Sequence, residues 1–313
     1  MNEHQHKQTS RHPSLELESL DYLWFQVAGT LCNLMCKHCF ISASPTNDAF
    51  GLLSLEAVQE KLEESVQYGV KEYYFTGGEP FINEDMIPIL RSAMCYGPST
   101  VLTNAIPITQ DMAFEMAEIE QESIYSLEFR VSLDGFNAEM NDAIRGKHTF
   151  RRTIEAIQRL VKAGFLPIIT TVMTWPEHKH EEVMAGFLKT LKDVGYTRPR
   201  LKMLPMIKLG GEEQRTGGYT DTEEVTNDMM AGFDTTQLIC SNSRVISDKG
   251  VHVCPILLNA EDSLLGGTLE EGIKPYKLKH KACYTCYMNG AICSNPSSGS
   301  EMLFTEKLES HHE

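Results

Sequence analysis

Between residues 22 and about 205, short apolar runs alternate six times with amphipathic helical patterns, and this alternation constrains the fold more than any other feature. YLWFQVAG (22–29) reads as a buried strand. Ser54 then caps a helix whose apolar face is Leu55, Val58, Leu62 and Val66, at spacings of three and four, and Gly69 ends it. EYYFTG (72–77), STVLTN (99–104), EFRVSLDG (128–135), FLPIITTVMT (165–174) and RPRLKMLPM (198–206) are the next five strands. Helices are expected through Ile87 and Leu90, over 109–120, from about 150 to 163, and over 180–193. Strand–helix alternation with short connections dictates parallel strands and right-handed crossovers. Six units are fewer than the eight that close a full barrel, so the expected fold is α/β, an open partial (β/α)6 TIM-like barrel. Ligands of such folds gather beyond the carboxyl ends of the strands.

The flanks differ in character. Residues 1–20 read as a flexible tail and 21–206 as the barrel. Residues 207–237, rich in Gly, Thr and acid, read as a linker or lid, 238–300 as a small loop-rich module, and 301–313 as a second tail. Within the module, SRVISDKGVHVC (243–254) is a hairpin candidate with its turn near Asp248-Lys249-Gly250. A stretch so short buries little core, and bound metal would compensate.

The 313 residues carry a net charge of −15 and no Lys/Arg-rich stretch, which disfavours a nucleic-acid partner. No run of about 18 apolar residues is present, so no membrane span is expected. The polar N-terminus lacks the apolar stretch of a signal peptide, and the expected compartment is the cytoplasm. Nine cysteines in a cytoplasmic chain of this length point to metal ligands rather than disulfides. Cys95 stands apart from the clusters, in a helical pattern with Ile87, Leu90 and Met94, and is expected to be a buried small apolar residue.

Cys32, Cys36 and Cys39 follow the first strand with the spacing C-x3-C-x2-C. A [4Fe–4S] cube takes four cysteines, so a loop offering three leaves one iron open for chemistry. The competing reading is a zinc knuckle completed by His38 or a distant residue. Later strand ends add polar groups at the same end of the barrel. These are Thr76-Gly77-Gly78-Glu79-Pro80, then Thr103 and Asn104, then Ser132 and Asp134, with Arg145 after the fourth strand. Paired glycines let a ligand approach the backbone closely, and an arginine can grip a carboxylate with two hydrogen bonds. Each feature alone reads as an ordinary loop or a surface ion pair; their recurrence at consecutive strand ends does not.

Taken together, CNLMCKHC (32–39), GGEP (77–80), LTNA (102–105), VSLDG (131–135) and RG (145–146) resemble the radical S-adenosylmethionine (SAM) enzymes over about residues 20–205. The resemblance implies that the open iron binds the amino and carboxylate groups of SAM. Reductive cleavage would then give a 5′-deoxyadenosyl radical that takes hydrogen from substrate. It implies that Gly77, Gly78 and Glu79, with Pro80 fixing the turn, hold the methionyl ammonium. Ser132, Asp134 and Arg145 would position ribose and carboxylate, with Thr103 and Asn104 beside them. His38, the backbone of Phe40, and Met203 or Leu204 would border adenine. The fifth strand departs from the family, carrying IITTVMT where many members have a glycine-bearing adenine motif.

Cys240, Cys254, Cys283, Cys286 and Cys293 resemble the Twitch or shortened SPASM module, which implies one auxiliary [4Fe–4S] cluster. Its expected ligands are Cys240, Cys254, Cys283 and Cys286, with Cys293 a spare or a substitute; a structural zinc ribbon is the competing reading. The expected function is radical dehydrogenation or C–S or C–C bond formation, with the auxiliary cluster accepting or relaying an electron. Only about twenty residues precede the first strand, too few for a leader-binding domain. That favours a small metabolite, with a peptide presented by a separate partner as the alternative. An electron donor such as flavodoxin or ferredoxin is implied. The chain ends LESHHE, without the glycine pair of molybdopterin-type cyclases. A non-enzymatic electron carrier or a zinc scaffold is the reading of another class, and neither needs the GGEP turn.

Overall fold

A computed structural model describes residues 12–290. In chain order its strands and helices are β1 (Ser14–Leu15), β2 (Tyr22–Gln26), α1 (Leu55–Ser65), β3 (Glu72–Thr76), α2 (Met86–Ala93), β4 (Ser99–Thr103), α3 (Gln110–Glu122), β5 (Leu127–Ser132), α4 (Ala138–Arg145), α5 (Thr149–Lys162), β6 (Ile168–Val172), α6 (His180–Asp193), β7 (Arg200–Leu204), α7 (Gly211–Thr216), β8 (Ser243–Ser247), β9 (Gly250–His252), β10 (Leu264–Gly266), α8 (Leu269–Gly272), β11 (Tyr276–Lys277) and α9 (Ala282–Asn289). All six expected barrel strands are present and pair in parallel in chain order from β2 to β7. The sheet does not close among the described residues; its far edge is β7 and its other edge β10.

That second edge extends the barrel. β8 pairs in parallel with β2, Tyr22 opposite Ser243, and β9 and β10 continue antiparallel, giving one nine-stranded sheet. The expected hairpin is β8–β9, with Ser247 opposite Gly250.

Side-chain alternation explains why the strands lie as they do. On β2, Leu23 and Phe25 face the helices and join a core with Val58 and Leu62 of α1 and Ile89 and Leu90 of α2. Trp24 and Tyr74 face the other side, stacked at 4.2 Å, with the Arg130 guanidinium 5.2 Å from the Tyr74 ring. This second face belongs to an apolar cluster that also contains Cys32, Cys254 and Cys286, with Cys36, Cys39, Cys240 and Cys283 packed against it. Both cysteine groups therefore pack with the side of the sheet that faces away from α1 and α2.

Three expectations need correction, and one helix was missed. Cys95 is exposed, because α2 stops at Ala93 and the following turn carries Cys95 off the buried face. Val66 is exposed too, since α1 ends at Ser65 and a tight turn rotates it outward. Residues 14–20 are not a free tail: β1 pairs with β11, Glu18 N–H donates to Ser241 O at 2.7 Å, and Leu15 and Leu20 are buried. Helix α4 was not anticipated; Asn137 caps it by accepting from Met140 N. Its mixed sequence AEMNDAIR buries only Asn141 and Arg145, so it lacks an apolar stripe to read.

Candidate active site

The cysteine loop leaves β2 and is closed by a bridge between Leu31 and Ser44, with Cys32 N–H donating to Ser44 O at 3.0 Å. Its sulfurs receive hydrogen bonds from several directions. Leu34 N–H donates to Cys32 Sγ (3.4 Å) and Ala43 N–H to Cys39 Sγ (3.2 Å). Asn104 Nδ2 reaches Cys32 Sγ and Arg145 reaches Cys36 Sγ, each at 3.9 Å. Burial pushes the Cys32 thiol up to about 12 and raises Cys36 as well.

The Gly77–Gly78 turn lies directly on this loop. Gly78 N–H donates to Gly29 O (2.9 Å) and Glu79 N–H to Leu31 O (3.0 Å). A methyl group on Gly78 would stand 1.9 Å from Leu31 O and 2.8 Å from Cys32 Cβ, so only glycine permits the approach. With these amides engaged, carbonyls are the groups of the turn suited to receive an ammonium.

Glu79 does something the sequence reading did not foresee. Its side chain is fully buried and turns to β4, where Oε1 accepts from Thr103 Oγ1 (2.6 Å) and Phe81 N (3.1 Å) and Oε2 accepts from Asn104 N (2.7 Å). Burial raises its pKa to about 7, against the pull of those three donors. The carboxylate is thus a brace between two strand ends rather than a group presented to a ligand. Pro80 follows it, buried, and opens a single tight turn. Asn104 Nδ2 donates to Asn33 Oδ1 (2.8 Å), a second tie to the cysteine loop through a residue the motifs did not single out.

On the opposite side, Asp134 Oδ2 accepts from Arg145 Nε and faces His38 Nε2, both at 2.6 Å, while Oδ1 accepts from Val172 N at 2.8 Å. Burial would raise the Asp134 pKa, but Arg145 and His38 outweigh it and hold the carboxyl well below the usual range. His38 is thereby oriented by Asp134, and its buried Nδ1 has no protein partner. Lys37 N–H donates to Ile144 O at 2.9 Å, pinning the cysteine loop to the end of α4. Ser132 ends β5 half-buried beside this cluster, and Met203 and Leu204 end β7, also half-buried. Phe40 O lies under the turn at Gly210, whose φ of +58° and contact with Cys39 O and Phe40 O leave no room for a side chain. Gly211 N–H donates to Cys39 O at 2.9 Å, so the 207–237 segment is seated on the cysteine loop. Lys208, at the start of that segment, is paired with Glu223 at 2.7 Å.

Cys240, Cys254, Cys283 and Cys286 line one cavity whose remaining wall is aliphatic apart from the Tyr276 ring. Burial pushes the Cys240 thiol up to about 11 and Cys283 well above its ordinary value. Among the described residues no three His, Cys, Asp or Glu side chains converge on a single metal ion; the four thiols surround a void instead. Cys293 lies outside the described residues.

The sequence pattern of the radical SAM superfamily matches residues 27–188, which contain the cysteine loop, the glycine turn and Asp134 with Arg145. The chain belongs to the radical SAM superfamily. Over 228 residues it is 33% identical to the mycofactocin maturase MftC of Mycobacterium tuberculosis, covering 72% of this chain and 54% of that one. The chain spans about half the length of the curated relatives it matches, or less. Solved structures share its fold. Native anSMEcpe with bound AdoMet superposes with a TM-score of 0.60 at 17% identity, over 83% of this chain and 81% of that one. Streptococcus suis SuiB bound to precursor peptide SuiA gives 0.58 at 16%, over 79% and 62%.

Membership makes the protein an enzyme of radical chemistry, with SAM and a [4Fe–4S] cluster as its cofactors. The residues present fit that group. Three cysteine sulfurs on one loop already receive N–H donors, as cluster thiolates do, and iron takes a buried thiol as thiolate whatever its free pKa. No helix among the described residues is long and apolar enough to cross a membrane.

Proposed function

We propose that the enzyme cleaves SAM reductively at a cluster held by Cys32, Cys36 and Cys39 and uses the resulting radical on a peptide or protein segment. The observation that carries the site is the hydrogen-bonded convergence of the segments after β3, β4, β5 and β7 on the cysteine loop. When bound, the cluster supplies one electron to the sulfonium of SAM. The chain's own residues do the rest. Backbone carbonyls at Gly77 and Gly78 would take the ammonium, Arg145 would pair with the carboxylate, and Ser132 and Asp134 would flank the ribose. His38, the Phe40 backbone, Met203 and Leu204 border the adenine. Glu79, Thr103 and Asn104 hold the pocket's shape from behind.

The segment 238–300 is, on this reading, an auxiliary-cluster module with Cys240, Cys254, Cys283 and Cys286 as ligands. An all-sulfur set around an apolar void supports it. Its cluster would accept or relay the substrate electron in a dehydrogenation or a C–S or C–C bond formation. A flavodoxin or ferredoxin would be the donor.

The peptide reading rests on MftC, named a maturase, and on SuiB, solved with a precursor peptide. It takes precedence over the small metabolite expected from the sequence, because both of these names point to a peptide.

Anaerobic reconstitution tests both parts. The parent should hold about eight irons per chain and Cys283→Ala about four, with some uncoupled 5′-deoxyadenosine formation left. Equal iron in the two would sink the second cluster. Source-cell extract, split into peptide and small-molecule fractions, is then added. Stimulation of 5′-deoxyadenosine formation by the peptide fraction supports the substrate class; stimulation by the small-molecule fraction alone returns the small-metabolite reading.

A further inference from the structure

Arg244 on β8 is 1% exposed, and among the described residues its guanidinium donates only to neutral oxygens. Nε donates to Gly272 O (2.8 Å), one Nη to Cys240 O (2.8 Å) and Ser243 O (2.7 Å), and the other to Lys274 O (3.2 Å). No carboxylate pairs with it among the described residues. Buried arginines almost always have an anionic partner, because a guanidinium cannot discard its charge and an uncompensated buried ion is costly. Burial lowers its pKa only to about 10, so the charge persists at neutral pH. The feature capable of holding negative charge to which Arg244 is tied by a direct contact is the four-cysteine cavity, through Cys240. Arg244 bonds the carbonyl of Cys240 itself, and its charge bears on the thiols of both Cys240 and Cys254.

We propose that Arg244 is the built-in counter-charge of the group held by Cys240, Cys254, Cys283 and Cys286, and that it raises that group's reduction potential. The inference rests on the auxiliary-cluster reading above. A cube of iron and sulfide with four thiolates is anionic and gains one more negative charge on reduction. A fixed cation beside it stabilises the reduced form more than the oxidised one. The carbonyl contacts hold the guanidinium in place without neutralising it. Arg244 is thus a positioning and tuning residue that makes the module a better electron acceptor.

The test uses full-length protein with Cys32, Cys36 and Cys39 all changed to Ala, so that only the auxiliary cluster contributes signal. Iron content and the midpoint from an EPR-monitored redox titration are read for that parent, for Arg244→Met and for Arg244→Lys. At a fixed ambient potential near the parent midpoint, the reduced-to-oxidised ratio should fall about tenfold in Arg244→Met, a shift of about 59 mV for one electron, with Arg244→Lys close to the parent. Arg244→Met without iron beside Arg244→Lys with iron and an unchanged midpoint also supports a charge requirement. Unchanged midpoints in all three overturn the proposal, as does loss of iron in both variants, which would make the carbonyl clamp itself the function. A parent without iron fails one step earlier, overturning the cluster reading and the inference with it.

Discussion

Asp134 and Arg145 meet through a 2.6 Å contact between Oδ2 and Nε in a fully buried position, and His38 reaches the same oxygen. The three residues come from the end of β5, the end of α4 and the cysteine loop, so one carboxylate ties together three parts of the site. Asp134→Asn should cost about 3–5 kcal/mol in urea unfolding, because it leaves the Arg145 charge buried without its partner. The pH dependence has a definite sign. The Asp134 pKa is depressed in the folded chain, so its stabilisation is fully present above the unfolded value of about 4 and is lost as pH falls below it. Urea midpoints measured from pH 7 to pH 3 should show a constant gap between parent and variant that narrows only below about pH 4.

Glu79 offers a different balance. Its two oxygens receive three donors, from Thr103, Phe81 and Asn104. Glu79→Gln keeps the shape but places an NH2 against at least one of these donors. A loss of about 1–3 kcal/mol is expected in thermal unfolding, from the stranded donors. SAM binding, followed by equilibrium dialysis, should weaken alongside, because β3 and β4 lose their brace. A Gln variant as stable as the parent would remove the bracing role.

The six strands were legible because each is an apolar run bounded by turn residues, and the cysteine loop because ligand spacing is a local property. Helix α4 was not, since its buried residues are Asn141 and Arg145 rather than an apolar stripe. The tail at 14–20 was misread because its anchors, β11 and Ser241, lie more than two hundred residues away in the chain. Of the candidate site, the sequence singled out residues that converge in the structure, but not the partners they take there. Nothing in GGEP reveals that Glu79 turns toward Thr103, and nothing in SRVIS reveals that Arg244 meets no carboxylate among the described residues. Both depend on which strands become neighbours.

Cys36 lies at the junction of the cysteine loop and Arg145, whose guanidinium reaches its sulfur at 3.9 Å. Cys36→Ala should lose about four irons per chain and reduce 5′-deoxyadenosine formation to background, while the Cys240 set keeps its own iron. Iron analysis together with product chromatography checks both halves. Residual SAM cleavage above background would mean that the three-cysteine loop does not hold the reactive cluster.

Gly78 is where the glycine turn and the cysteine loop touch, and it separates packing from ligation. Gly78→Ala adds one methyl group with no change in charge or metal-binding chemistry. That methyl must stand clear of Leu31 O and Cys32 Cβ, which means moving backbone rather than a flexible side-chain end. Overpacking of this kind costs about 1–3 kcal/mol, and here the displacement falls on Cys32, the first of the proposed cluster ligands. Lower stability, partial loss of the SAM-binding cluster and weaker SAM binding should therefore appear together, with the auxiliary cluster intact. Because all three cysteines remain, added iron and sulfide should restore part of the cluster in Gly78→Ala but none of it in Cys36→Ala. A Gly78→Ala protein with parental iron content and SAM affinity would show that the turn and the loop can separate, and that the close approach is not what shapes the pocket.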